Sequence, residues 1–255
     1  MIKYTIYIPS KGRPTKCHTG EMLKETGLKF YIVIEPQDYD EYVKNFNKEN
    51  LLVLPFSNLG LGGYPARNWI KDYSTTAGEK KHWQLDDDLY HLAIFNKGKE
   101  IKKTPNEILG LIEQFTDKYN NVGLSGPSSN AFAGFQKKPF RINQQICNCV
   151  LVNNDIPYRW RIKGGHDTDM SIQVLKSGLC TILFNSFVFK MAPTGINEGG
   201  NQTELYDENG SKRLGELFTL HPELPIKTSN KFDRIRYDTK RVWRLFKQTL
   251  QTTNE

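Results

Sequence analysis

The sequence predicts an α/β domain on a mostly parallel sheet, and three observations carry that prediction. Tyr4 to Ile8 and Phe30 to Glu35 are β-branched and aromatic runs on either side of Lys16 to Thr26, a stretch of helix-compatible composition. The chain therefore opens as a strand–helix–strand unit, whose strands pair in parallel. Strand-like and helix-like segments go on alternating to about residue 190. Loops rich in turn residues or charge stand directly after several strands, where an open α/β sheet gathers ligands.

The elements follow in order. The first strand stops at Pro9-Ser-Lys-Gly-Arg-Pro14, and the second stops at Pro36. Leu51 to Leu54, before Pro55, reads as a third strand. The glycine-rich turn Leu59 to Gly63 then leads into a helix from Tyr64 to Tyr73, with Pro65 just inside its start. His82 to Leu85 is a fourth strand and runs straight into Asp86, Asp87 and Asp88. Thr104-Pro-Asn-Glu107 has the pattern of a capping box, and it opens a helix expected to set Ile108, Leu111, Ile112, Phe115 and Tyr119 on one face. Val122 to Leu124, Cys147 to Val152 and Cys180 to Phe184 supply further strands, and Asp167 to Ser177 a helix ending at Gly178. No internal repeat is evident, and beyond about residue 205 polar sequence takes over. The expected division is a catalytic-type domain over residues 1–225 and a basic, aromatic-rich carboxyl-terminal extension over 226–255.

Composition bounds the class. At 255 residues the chain can bury a sizeable core without staples. With 38% hydrophobic and 25% charged residues it is neither disordered, collagen-like nor coiled-coil. No apolar stretch approaches the roughly 18 residues of a membrane span, and MIKYTIYIPSKGR lacks a signal-peptide profile. A cytoplasmic protein with no membrane partner is expected. Cys147 and Cys149 form a C-x-C pair without the second pair of a zinc site, so the four cysteines read as buried thiols. The net charge is +7, and residues 226–247 carry eight Lys or Arg against Asp233 and Asp238, which gives +6 of it.

Four strand-end sequences converge: Ser10-Lys-Gly-Arg13, Glu35, the glycine turn with Ala66-Arg-Asn68, and Asp86-Asp-Asp88. Three adjacent carboxylates at the end of a buried strand repel one another unless a cation or bases neutralise them. A divalent metal is the economical answer, and the alternation of strand residues sends Asp86 and Asp88 to one side and Asp87 to the other. The plainer alternative is a solvated acidic turn or a helix cap.

This combination resembles the nucleotide-sugar glycosyltransferases of GT-A fold, over roughly residues 4 to 190. It rests on Ile8-Pro-Ser-Lys-Gly-Arg13, Gly62-Gly-Tyr-Pro-Ala-Arg-Asn68, the strand-borne Asp86-Asp-Asp88, and Gly165-His-Asp-Thr-Asp-Met170 opening a helix. More narrowly it looks like the TET/JBP-associated glycosyltransferases of phages, thought to sugar-modify hydroxymethylated pyrimidines in DNA. The resemblance implies a Rossmann-like GT-A domain and a Mn²⁺ or Mg²⁺ ion on Asp86 and Asp88. It also implies a donor, a UDP-sugar by preference, held by Pro9, Ser10, Lys11, Arg13, Glu35, Gly63, Arg67, Asn68, Asp86 and Asp87. Family members usually place Glu-Asp at the helix start and use its Asp as base. Here His166 takes the Glu position, so Asp167 is the candidate base and Asp169 its rival. A phage-encoded protein would work in the host cytoplasm.

Other residues carry two readings each. Lys11 and Arg13 read as nucleotide contacts or solubility charges, Glu35 as a base or ribose contact or a strand-end acid, and His166 as a metal or base partner or a loop histidine. Trp69 and Trp83 read as core residues or as sugar platforms. Gly199 to Gln202 reads as a lid over the donor or a plain turn. In the carboxyl segment Phe232, Tyr237, Trp243 and Phe246 interleave with Arg234, Arg236, Lys240, Arg241 and Arg244, the mixture of a DNA-binding surface or of a packed helix with a solvated face. Lys137, Lys138, Arg141, Arg159, Arg161 and Lys163 bracket the presumed acceptor side. Competing functions are a GT-A transferase acting on a protein, lipid or glycan, and a nucleotidyltransferase, for which the Ser10–Arg13 loop is short. A catalytically dead DNA-binding module is a further one.

Overall fold

In the computed structural model the described residues are 2–134, 136–192, 215–229 and 234–253. The amino-terminal half runs β1 (Ile6–Pro9), α1 (His18–Leu23), β2 (Phe30–Ile34), α2 (Tyr39–Tyr42), β3 (Leu51–Val53), α3 (Tyr64–Thr76) and β4 (Lys81–Leu85). A hairpin of β5 (Leu89–Asn96) and β6 (Lys99–Lys103) follows, then α4 (Pro105–Thr116), β7 (Val122–Ser129), α5 (Asn130–Ala133), β8 (Phe140–Ile142) and β9 (Cys149–Asn153). The chain continues with α6 (His166–Lys176), β10 (Cys180–Met191), α7 (Gly215–Leu220), β11 (Ile226–Ser229), β12 (Arg234–Tyr237) and α8 (Thr239–Val242).

The ten-stranded sheet has the order β3-β2-β1-β4-β9-β7-β10-β5-β6, with β8 paired to β10. The fold is therefore the expected α/β, Rossmann-like class. Parallel pairing holds from β3 to β4 and between β7 and β10, while β9 runs antiparallel between β4 and β7 and the β5–β6 hairpin is antiparallel to β10. The register Ile6↔Phe30 and Ile8↔Ile32 sets alternate side chains on opposite faces. Ile6, Ile8, Ile32, Ile34, Trp83 and Leu85 pack with Leu23 of α1 and Ile108 and Ile112 of α4. On the other face Tyr7, Val33 and Leu54 meet Ile70 of α3, and Leu124, Val150 and Val152 meet Met170 and Val174 of α6. Trp83 lies wholly in the core, as its sequence setting implies.

Local signals explain most of these elements. In the α4 capping box the Thr104 hydroxyl accepts from the Glu107 amide at 3.3 Å and the Glu107 carboxylate from the Thr104 amide at 2.9 Å, a motif worth about 1 kcal/mol. Leu111 is a correction: it is 43% exposed and Leu109 is buried in its place. At 100° per residue the arc centred between Ile108, Leu109 and Ile112 leaves Leu111 at its edge. Gly126 allows the close approach of β7 and β9, since a Cβ there would stand 2.2 Å from the Cys149 carbonyl oxygen.

The hairpin β5–β6 was not foreseen, because β6 reads Lys-Glu-Ile-Lys-Lys and its single apolar side chain, Ile101, is half exposed. Lys97 and Gly98, both at positive φ, make its two-residue turn. Strand pairing also returns after residue 205, in β11–β12. The segment expected as an extension packs onto the domain. Tyr237 and Val242 are buried with Ile162, Ile172, Leu217 and Leu224. Asn121 donates to the Thr249 carbonyl and accepts from the Gln251 amide, both at 2.9 Å, and Gln248 donates to the Leu175 carbonyl at 2.6 Å.

Candidate active site

Three stretches meet at the carboxyl ends of β1 and β4: the loop after β1, the start of α3, and the turn Asp86–Asp88 that joins β4 to β5. The acid triplet is a turn rather than a continued strand, and each carboxylate goes its own way. Asp87 is buried, accepting from the Ser10 hydroxyl at 2.5 Å and from Arg13 at 2.8 Å. Burial pushes its carboxyl up, outweighing the pull of Arg13. Asp86 accepts from Arg67 through Oδ1 and from Asn148 at 2.7 Å through Oδ2. Asp88 is half-buried, and its Oδ1 is a buried atom with no hydrogen-bond partner. Burial, followed by the charges of Asp86 and Asp87, pushes the Asp88 carboxyl up to about 7.

Arg67 is the centre of the site. It is 4% exposed and donates to Gln84 at 3.2 Å as well as to Asp86. Burial would lower its pKa, yet the charges of Asp86 and Asp167 more than offset that and raise it. Arg67 thus lies within electrostatic reach of both the β4 turn and the first turn of α6. The start of α3 also meets the loop before α6. Gly62, at φ +71, leaves room such that a Cβ would stand 3.6 Å from Lys163 Cα. Asn68 clamps the Trp160 peptide, donating to its carbonyl at 2.7 Å and accepting from its amide at 3.1 Å.

The two candidate bases are distinct in setting. Asp167 sits in the first turn of α6, after Gly165 at φ +79, with His166 Nε2 3.5 Å from its Oδ1. Asp169 is fully buried and saturated by Arg161, Gln173 and His221. Burial would raise its carboxyl, but His221 and Arg161 hold it below the usual range.

The remaining sequence-selected residues divide similarly. Pro9 ends β1 beside Val33, and the Ser10 amide donates to the Val33 carbonyl at 3.0 Å. Lys11 pairs with Glu35 at 3.2 Å. Burial would raise Glu35, while the Asn58 amide, Gln37 and Lys11 bring it below its ordinary value. Gly63 is the N-cap of α3, its carbonyl accepting from the Arg67 amide at 3.2 Å. Arg159 and Arg161 are paired with Asp72 and Asp169. Arg241 and Arg244 are exposed, and the side chains of Arg234, Arg236 and Lys240 lie outside those described. Gly199 to Gln202 and Phe232 also lie outside the described residues.

Several partners were not visible in the sequence. Thr19 of α1 donates to the Asp86 carbonyl and accepts from the Leu89 amide at 2.9 Å, which fixes the backbone of the acid turn. Tyr42 meets the Ser10 hydroxyl at 2.6 Å. Asn148 bears a positive φ, the one local signal that an asparagine there is special.

No group of three or more His, Cys, Asp or Glu able to hold a metal occurs among the described residues. A cation held by one or two carboxylates and completed by substrate phosphates needs no such group. The orphaned Asp88 oxygen beside two further acids fits that kind of site. Among the described residues no helix is long and apolar enough to cross a membrane. Residues 4–200 match the family model described as TET-Associated Glycosyltransferase. No curated protein matches the chain.

Proposed function

Because the chain belongs to the TET-associated glycosyltransferase family, we propose that it moves a sugar from a nucleotide-sugar, a UDP-sugar, to a hydroxymethylated pyrimidine in DNA, phage 5-hydroxymethylcytosine above all. Asp88 and Asp86 hold a Mn²⁺ or Mg²⁺ ion in this reading, and Asp167 is the general base. The observation that carries it is the Asp86–Asp88 turn, where Arg67 holds Asp86 and a buried Asp88 oxygen is left without a hydrogen-bond partner.

A glycosyl transfer develops positive charge on the sugar and negative charge on the departing diphosphate. When bound, a divalent cation stabilises that departing charge. Arg67 and Arg13 add fixed positive charge at the same sheet edge without reorganising, because Asp86 and Asp87 already hold their guanidinium groups. Asp167 takes the acceptor hydroxyl's proton as the new bond forms, and the α6 dipole keeps it ionised for that purpose. Ser10, Lys11 and Glu35 line the same edge of the sheet and contact the nucleotide.

The charge surplus of residues 226–247 supports a polyanionic acceptor. One observation favours the second reading, an acceptor on protein, lipid or glycan: Trp243 and Phe246 pack against the cluster around Ile172 instead of standing free to stack on bases. The test is to incubate the protein with Mn²⁺, a panel of sugar nucleotides, and plain or hydroxymethylated DNA, then to weigh the digested nucleosides. A hexose or pentose mass on the modified base is expected. Sugar-nucleotide turnover without DNA modification overturns the DNA acceptor, and full turnover in chelator overturns the metal.

A further inference from the structure

We propose that His221 is a positioning residue for the transfer step: with Arg161 it grips Asp169 and so fixes the first turn of α6, which carries Asp167. The inference rests on Asp167 as the base. His221 lies beyond residues 4–200, the part of the chain that matches the family.

The geometry is a closed set of bonds. Asp169 Oδ1 accepts from Arg161 at 2.9 Å and from His221 Nε2 at 2.7 Å, and Oδ2 accepts from Arg161 Nε at 3.0 Å and Gln173 at 2.9 Å. Lys176 stands 2.9 Å from His221 Nδ1, and an ammonium can only donate there, so the histidine proton sits on Nε2 and points at Asp169. His221 is itself 1% exposed, and Tyr237 donates to its carbonyl at 3.2 Å. The Asp169 amide donates to the Gly165 carbonyl at 3.0 Å, closing the first turn of α6.

The reason for such a grip is the glycine pair before the helix. Gly164 and Gly165 give the chain freedom at the point where Asp167 must be held, and Gly165 takes a left-handed φ of +79. A misplacement of about 1 Å in a reacting group costs roughly 10²-fold in rate. Asp167 and Asp169 are two positions apart, which turns their side chains about 200° from one another on a helix.

The test uses the full chain and the sugar nucleotide and acceptor that wild type turns over fastest in the panel above. His221→Ala should lower kcat by about 10- to 100-fold with the donor KM within about threefold. His221→Gln, whose amide can still donate to Asp169, should recover kcat to within about threefold of wild type. Hydrogen exchange at the Asp169 amide should quicken in His221→Ala while amides of β1 and β4 keep their protection. Arg161→Gln, at a side chain 43% exposed, should lower kcat by about 3- to 10-fold, and it decides the matter if His221→Ala does not fold. Unchanged kcat in these variants while Asp167→Asn is dead overturns the inference and leaves the base reading standing. Parallel losses in kcat and donor affinity, with exchange quickened everywhere, make His221 a stability residue only and overturn it too. An active Asp167→Asn overturns the base reading itself, and exchange at Asp169 then still reports whether His221 holds α6.

Discussion

The sequence writes Asp-x-Asp twice, at Asp86–Asp88 and at Asp167–Asp169, and the two copies divide their labour differently. In the turn after β4 the outer acid Asp86 is bonded to Arg67 and Asn148 and the middle acid Asp87 to Ser10 and Arg13, which leaves Asp88 with a buried oxygen unpartnered. At the start of α6 it is the last acid, Asp169, that is saturated, while Asp167 faces the charge of Arg67. In both copies, the role of each carboxylate is set by what surrounds it and not by the motif. A turn spreads its acids toward three neighbouring elements, whereas a helix opposes residues two apart.

The largest effects should come from exchanging the roles in α6. Asp167→Asn is expected to keep donor binding and to lose transfer by roughly 10²-fold or more, the scale of a positioned proton acceptor. Asp169→Asn should instead destabilise the fold by about 3–5 kcal/mol, the cost of removing one partner from a buried charged set, with turnover per folded molecule lowered about as far as in His221→Ala, since the same anchor is loosened. Single-turnover rates beside denaturant melts separate the two. A dead, fully stable Asp169→Asn would reverse the assignment.

Asp88 and Asp169 should also give opposite pH signatures in chelator. The Asp88 carboxyl is raised to about 7, so its ionisation disfavours the folded state, and stability should fall as pH rises from the ordinary carboxylate range through 7. Asp169 is lowered, so its contribution is present above the ordinary carboxylate value and is lost as pH falls through its depressed one. Asp88→Asn should therefore stabilise the metal-free protein near pH 8 by on the order of 2 kcal/mol after discounting for its partial exposure, which melting curves read as a higher melting temperature. It should abolish metal-dependent turnover in the same variant. Melting curves from pH 4 to 8 check the sign, and a variant with the wild-type pH profile would show that Asp88 is not the strained acid.

Much of this was legible in the sequence, and for local reasons. The strand–helix–strand opening, the Pro65 helix start and the Thr104 capping box are each written within a few residues, and all appear where the pattern puts them. The Asp86–Asp88 triplet and the Asp167 turn were also visible, because charge at the end of an apolar strand is conspicuous. What was hidden depends on long-range partners. Nothing near Asp169 announces His221, which lies 52 positions on, and nothing near Asp86 announces Asn148. Asn68 was expected to touch the nucleotide, whereas in the fold it clamps the Trp160 peptide. The β6 strand was hidden for another reason: an edge strand rich in lysine lacks the alternation by which strands are read.

The same division between committed and available groups applies to the arginines and gives the smallest expected effect. Arg13, Arg67 and Arg161 are held in place by Asp87, Asp86 and Asp169 and are not free to track phosphates on the surface. Arg241 and Arg244 are exposed on the carboxyl segment, with Val242 between them buried and Trp243 half-buried against the domain. If that segment holds DNA, its exposed cations displace counterions from phosphates, and each contact removed lowers the slope of log affinity against log salt by about 0.9. Arg241→Ala with Arg244→Ala should therefore flatten the slope by roughly 2 and weaken plain and modified duplexes alike, because phosphate contacts do not read bases. Stability should stay within about 0.5 kcal/mol of wild type for each such surface change. Trp243→Ala supplies the contrast, costing about 2 kcal/mol through lost packing while leaving the salt slope of the folded protein intact. A salt series of duplex binding for the three proteins reads both effects at once. A slope unaltered by the arginine substitutions would remove this segment from the acceptor surface and leave it the packing role that Tyr237 and Val242 already serve.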